Sequence, residues 1–253
     1  MATKLIQSVQ RATDILELFL ADKGPLGITD FSHQLGLPKA TIAGLVATLE
    51  AGGYLEKEPV GGKYRLGQKV FHLGVHYTAN MDIVTLGRAW IERLCFQFME
   101  AVNVGMLVGD RIVLIMRAEP KNGYMVFPQA GSILPAHSSC IGKTLFAYMD
   151  EEKRDSLLAG YNFERFTPNT IGNRESFLAE LKKVREAGVS FENEESISGL
   201  VGIGGPIFNN RGEAVAAFVL SGNPQTMNER RQEIVEAVKF TSRQVSSQLG
   251  FDR

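Results

Sequence analysis

Hydrophobic positions along the chain alternate between two periods. Near the N-terminus Val9, Ala12, Leu16 and Phe19, with Ile15 beside them, recur at helical spacing. The run DKGPLG (22–27) breaks that helix. Thr29 is placed to cap a second, short helix whose Phe31 and Leu35 share a face, and Gly36 is placed to end it. Pro38 suits the first turn of a third helix, in which Ile42, Leu45, Val46 and Leu49 form one apolar stripe that Gly52 and Gly53 stop. Residues 54–57 and 63–66 then read as strands around a PVGG turn. From Gln68 to about Ala101 the pattern is helical, with a joint near residue 80 and a second helix built on Ile83, Leu86, Trp90, Leu94 and Phe98.

Beyond residue 101 strands and helices mix. Residues 102–108 and 112–117 flank a GDR turn, and 189–192, 200–208 and 214–221 are strand-like, with NNRG between the last two. Helices fit 142–159, 174–187 and 227–249, the last with a capping box of Thr226 and Glu229. Strands meeting in hairpins with helices between them predict an α+β domain with a mainly antiparallel sheet covered by helices.

Composition changes this picture little. The 253 residues are 44% hydrophobic and 22% charged, ordinary for a globular protein. No run is apolar enough for a membrane span, and the N-terminus has no signal core, so the expected location is the cytoplasm. Cys95 and Cys140 match no zinc spacing and form no disulfide framework, so neither a metal nor a cofactor is expected. Net charge is −1, from 27 basic and 28 acidic residues. Any nucleic-acid surface must therefore come from local placement of charge.

The first 66 residues have the order of a winged helix-turn-helix. If Ile42, Leu45, Val46 and Leu49 face a core, then Lys39, Ala40, Thr41, Ala43, Gly44 and Thr48 point toward a major groove. Lys57, Lys63 and Arg65 on the hairpin are candidate phosphate contacts, Tyr64 is placed along the backbone edge, and Arg11 and Thr29 lie near helix starts. The same three helices and hairpin would also serve a protein-binding module.

In the second half, IGKT (141–144) ends like a phosphate loop, but His137 stands where that loop needs glycine. Gly142 and Lys143 instead open a helix whose first N–H groups, from Cys140 and Ile141, face a pocket suited to a carboxylate. A Cys140–His137 nucleophile, and with it an enzyme using this pocket, would need a reactive thiol and a base within reach. GLVGIGGP (199–206) does not read as a dinucleotide loop; its glycines suit close backbone approach. In the acidic run 192–195, strand alternation puts Glu192 and Glu194 on one side and Glu195 on the other.

SVQRATDILELF (8–19), ITDFSHQLGLPKAT (28–41), LVATLEAGGYL (45–55) and YRLG (64–67) resemble the opening of the IclR family of bacterial transcriptional regulators. PAHSSCIGK (135–143), FTPNTI (166–171), ENEESISGL (192–200) and AVAAFVLSG (214–222) resemble its second half, in the same order. The resemblance implies a winged helix-turn-helix over 1–67, a linker helix over 68–82 and a GAF/PAS-like effector-binding domain over 83–253. It implies dimers or dimers of dimers on palindromic promoter DNA, often as repressors controlled by a small organic acid. Carried over by position, the effector contacts are Cys140, Ile141, Glu192, Leu200, Gly202, Val219 and Ser221.

Two departures from the family pattern stand out. The helix facing DNA carries Ala40, Ala43 and Gly44 where polar residues are common, so readout shifts toward Thr41, Lys39, the wing and DNA shape. Members that bind acids such as glyoxylate often have polar side chains where Gly202 and Val219 stand, and Asp where Glu192 stands. Their replacement here predicts a roomier, more apolar pocket for an aromatic or branched acid, with Met106, Met116 and Phe127 as further lining candidates.

Overall fold

The computed structural model describes residues 5–21, 24–79, 81–120 and 128–251. The chain divides into two compact units, Met1–Ala79 and Asn80–Arg253.

In the first unit, helices α1 (Gln7–Ala21), α2 (Ile28–Leu35) and α3 (Lys39–Ala51) precede a two-stranded wing of β1 (Leu55–Lys57) and β2 (Tyr64–Leu66), followed by helix α4 (Gln68–Ala79). Ile15, Phe31, Ile42, Val46, Leu49 and Leu55 close one core, with Phe19 edge-on to Phe31 at 5.8 Å. Three local expectations need correction. Val9 is 58% exposed, because the inward stripe of α1 runs through Ala12, Ile15 and Leu16. Gly27, rather than Thr29, caps α2, and its N–H is held by Asp30 Oδ2 at 2.8 Å; Thr29 lies exposed in the first turn. Pro38 occupies the cap position of α3 rather than its first turn.

Tyr64 is the fourth correction. It is only 7% exposed and packs in the core instead of along a surface edge. Leu26 pairs with its backbone through bonds of 2.8 and 3.0 Å, an isolated bridge beside the wing, and both side chains are buried in the same core.

The second unit begins with α5 (Asp82–Phe98) and is organised on a six-stranded antiparallel sheet. Its strands are β3 (Ala101–Val108), β4 (Arg111–Ala118), β5 (Ile133–Leu134), β6 (Ser190–Asn193), β7 (Val201–Phe208) and β8 (Ala214–Gly222), in the spatial order β5-β4-β3-β8-β7-β6. α5 and α10 (Arg231–Gln248) cover one face over Val102, Val104, Ile203, Phe218 and Leu220. α6 (Cys140–Tyr148) and α8 (Arg174–Ala187) cover the other, over Ala217 and Val219. Met106 and Met116 belong with the α5/α10 core, so they do not line a pocket on the opposite face; Phe127 lies outside the described residues.

Two helix expectations also shift. The helix over 142–159 is two helices, since Met149 is extended and Asp150 caps α7 (Glu151–Leu158) by accepting from the Glu152 and Lys153 N–H groups. At the other end, Asn223 caps the short α9 (Pro224–Glu229) by accepting from Thr226 N, and Arg230 separates α9 from α10. The Thr226–Glu229 pair therefore does not open the long helix. Asn223 followed by Pro224 is the stronger start signal, as proline fits the first helical turn.

Candidate functional site

A cavity of about 230 Å³ opens between the start of α6 and the sheet face beneath it. Strand register builds its floor. Glu192, Gly202, Ser221 and Ala101 form one row across β6, β7, β8 and β3, and Ser190, Gly204, Val219, Asn103 and Arg117 form the next. Side chains two apart on a strand share a face, so both rows look toward α6. Cys140, Ile141, Glu192, Leu200, Val219 and Ser221 all line the cavity.

Gly202 does not line it. A Cβ there would lie 2.9 Å from Val219 Cγ2 and 3.4 Å from Cys140 Sγ, so its neighbours already fill the space a side chain would take. The expected gain in room at this position is absent. Gly204 has a packing role, since its missing Cβ would lie 2.9 Å from Cys140 Cβ and so lets α6 settle on β7. Gly142 plays the same part on the other side of α6, where a Cβ would overlap the Ala136 backbone.

Ser139 caps α6, accepting from Gly142 N at 3.1 Å and donating to Pro135 O at 2.7 Å. Among the described residues, the N–H groups of Cys140 and Ile141 have no acceptor. Such groups carry the partial positive charge of a helix start and suit a carboxylate. On the facing side, Glu192 Oε1 accepts from Ser196 N at 3.2 Å and from Ser196 Oγ. Burial pushes its carboxyl up to about 7, although the Ser196 bonds pull the other way.

The acidic run does not alternate as a strand. β6 ends at Asn193, and Glu194 adopts a left-handed backbone with φ of 55°. The turn brings Glu195 inward, where Oε1 meets the buried Lys143 Nζ at 2.5 Å; Lys143 also donates to Phe191 O at 2.8 Å. Glu194 instead accepts from Gly199 N at 2.7 Å. Thr167 and Thr170 donate to the carbonyls of Glu194 and Glu195, each at 2.6 Å, and so clamp the loop that supplies Ser196, Ile197 and Leu200 to the cavity. FTPNTI thus acts as the brace of the pocket roof.

The Cys140–His137 pairing does not form. Burial pushes the Cys140 thiol far up, and it donates to Ser190 O at 3.6 Å. Both His137 ring nitrogens are engaged, by Tyr161 Oη and by Glu164 O at 2.9 Å each. Among the described residues no group of three or more His, Cys, Asp or Glu is placed to hold a metal ion, and no helix is long and apolar enough to cross a membrane.

Sequence reasoning missed Asn103, Ser139, Ser196, Ile197 and Phe166 as cavity residues. Asn103 is 5% exposed, and among the described residues its Oδ1 has no hydrogen-bond partner. Only the register of β3 against β8 reveals it, because nothing in its local sequence marks a site.

On the first unit, Lys39 and Ala40 lie exposed in the first turn of α3, Thr41 is half-buried, and Gly44 and Thr48 are exposed farther along. Lys57, Lys63 and Arg65 are exposed on the wing, with Arg65 Nη2 paired to Glu56 Oε2 at 3.1 Å. Arg11 is half-buried on α1.

Comparison with known proteins agrees with this architecture. A family model described as "Bacterial transcriptional regulator IclR C-terminal" matches residues 75–247, and the IclR helix-turn-helix domain matches residues 8–59. The chain is 36% identical over 217 residues to the HTH-type transcriptional regulator XynR of Escherichia coli K12, covering 86% of each chain. It is 31% identical over 250 residues to the HTH-type transcriptional repressor AllR of the same strain, covering 98% of this chain and 92% of AllR. The crystal structure of an IclR transcriptional regulator from Alicyclobacillus acidocaldarius superposes with a TM-score of 0.85 at 23% identity, covering 98% of this chain and all of the other. By both family matches and by these relatives, the chain is a member of the IclR family of bacterial transcriptional regulators.

Proposed function

We propose that this regulator is a cytoplasmic repressor whose grip on palindromic promoter DNA is set by a small organic acid bound in the second unit. The observation that carries the reading is the cavity at the start of α6, where two free N–H groups face Glu192 and Ser221 across an apolar chamber. The acid's carboxylate sits on Cys140 N and Ile141 N, and the remainder packs against Leu200 and Val219. An engineered cavity of about 150 Å³ holds benzene. The 230 Å³ here therefore suits an aromatic or branched acid better than glyoxylate. Gly202 contributes by letting Val219 and Cys140 close together.

DNA contacts are assigned to Lys39, Ala40 and Thr41 on α3, Thr29 on α2, Lys63 and Arg65 on the wing, and Arg11 on α1. Tyr64 supports the wing from inside. Residues 1–67 form the DNA-binding part, 68–82 the linker and 83–253 the effector part. Phe71 and Val75, four apart on α4, are both exposed, which supports pairing into a dimer or a dimer of dimers. Paired recognition helices then read half-sites about one DNA turn (~34 Å) apart. The repressor sign is supported by the relative AllR, itself a transcriptional repressor.

Fluorescence anisotropy against DNA from upstream of the chain's own gene, with excess nonspecific competitor, tests this reading. Saturable binding that resists competitor and weakens when an aromatic or branched acid is added is the expected result. Binding that competitor abolishes overturns the promoter assignment.

A further inference from the structure

We propose that the acid recognised by the cavity is a hydroxy acid, and that the Asn103 carboxamide is the residue that selects for its hydroxyl. This rests on the effector reading above and goes beyond it by naming a second anchor at the other side of the chamber. Asn103 is 5% exposed, lines the cavity, and leaves Oδ1 without a partner among the described residues. Buried polar groups are nearly always hydrogen-bonded, so an orphaned carboxamide oxygen at a cavity calls for a donor in that cavity.

Among the described residues its neighbours in the sheet do not supply it. In the row across the sheet, Asn103 stands between Val219, which is apolar, and Arg117. The Arg117 guanidinium is engaged by Glu119 Oε2 at 2.6 Å and by Pro128 O at 3.2 Å. Ser221, on the same face, is 3% exposed and also lines the cavity.

The chemistry of the groups decides the ligand class. Cys140 N and Ile141 N donate, which fixes the carboxylate end. Asn103 Oδ1 accepts, so this side calls for a ligand group that donates. A hydroxyl satisfies Oδ1, because it donates. A keto oxygen only accepts and leaves Oδ1 orphaned, as does a plain hydrocarbon tail.

Calorimetry on the full chain tests this with two matched series. One comprises benzoate with 2-, 3- and 4-hydroxybenzoate; the other comprises butanoate with 2-, 3- and 4-hydroxybutanoate and 2-oxobutanoate. At least one hydroxy acid is expected to bind about tenfold or more tighter than its parent acid and, in the butanoate series, than 2-oxobutanoate. Asn103→Leu is expected to erase that preference. The variant should melt no lower than wild type, since it removes an unpartnered buried amide; a purely structural Asn103 would instead lower the melting temperature. Acids that bind without hydroxyl preference, or a preference that survives Asn103→Leu, overturn the role of Asn103 and leave the acid pocket standing. Failure of every acid in both series to bind overturns the pocket reading itself.

Discussion

The two faces of the six-stranded sheet are made by the same strands, and each packs on an apolar cluster, but only one also buries polar groups and a cavity. On the α5/α10 side, Val102, Val104, Ile203, Phe218 and Leu220 interlock in an apolar core. One residue over on the same strands, Asn103, Gly202, Gly204, Val219 and Ser221 face α6, where Lys143, Thr144 and Ser190 are also buried. Alternation of side chains lets one segment serve both ends: AVAAFVLSG places Phe218 and Leu220 in the core and Val219 and Ser221 in the cavity. One parity of the strands is wholly apolar, whereas the other combines an apolar cluster with buried polar groups and a cavity. A change on the first face should therefore act through packing alone, and a change on the second should also act through buried charge and its response to pH.

The largest expected effect breaks the dry face. Phe218→Ala should cost about 3–5 kcal/mol by urea denaturation, through lost burial and the cavity left behind, while acid preference in the folded fraction stays unchanged. Removing a charge from the wet face comes close. Lys143→Met leaves Glu195 buried without its cation and should cost about 3–5 kcal/mol, much of it recovered by adding Glu195→Leu. That recovery distinguishes an uncompensated charge from simple loss of packing.

Glu192 should make stability depend on pH. Burial raises its carboxyl from 4.5 to about 7 in the folded chain. Between those values the folded state binds a proton that the unfolded state has released. Stability should therefore fall as pH rises from about 4.5 to 7, by up to about 3 kcal/mol, and level off above. Denaturation across that range should show the slope in wild type and lose most of it in Glu192→Gln. The smallest effect lies in the other unit. Arg65→Ala breaks an exposed pair with Glu56 and should change stability by less than about 1 kcal/mol. It should also weaken DNA binding evenly across sequences and reduce the salt slope by about 1, measured by anisotropy at several salt concentrations.

The contrast between faces also explains what the sequence disclosed. Helix positions with strong periodicity, such as Ile42, Val46 and Leu49, were legible because each repeats one apolar side. The IclR resemblance located Cys140, Ile141, Glu192, Leu200, Val219 and Ser221, which the fold gathers around one cavity. Asn103 stayed hidden because its significance lies in β3 pairing with β8 more than a hundred residues later. Glu195 was misplaced because a single left-handed residue, Glu194, reverses the parity that a continuous strand would keep. Tyr64 was misread because it shares its core with Leu26, through a pairing that spans 38 residues. Local signals also competed at the last helix, where Asn223 and Pro224 start a separate turn before the capping-box pattern takes hold.

The central claim is that occupation of the cavity at the start of α6 governs DNA affinity. The direct measurement is anisotropy of promoter DNA with the full chain, at fixed salt, before and after saturation with an acid shown by calorimetry to bind. The expected result is a change in DNA affinity of about 5- to 150-fold, the usual range of coupling between distant sites. An acid that saturates the chain yet leaves DNA affinity unchanged contradicts the account.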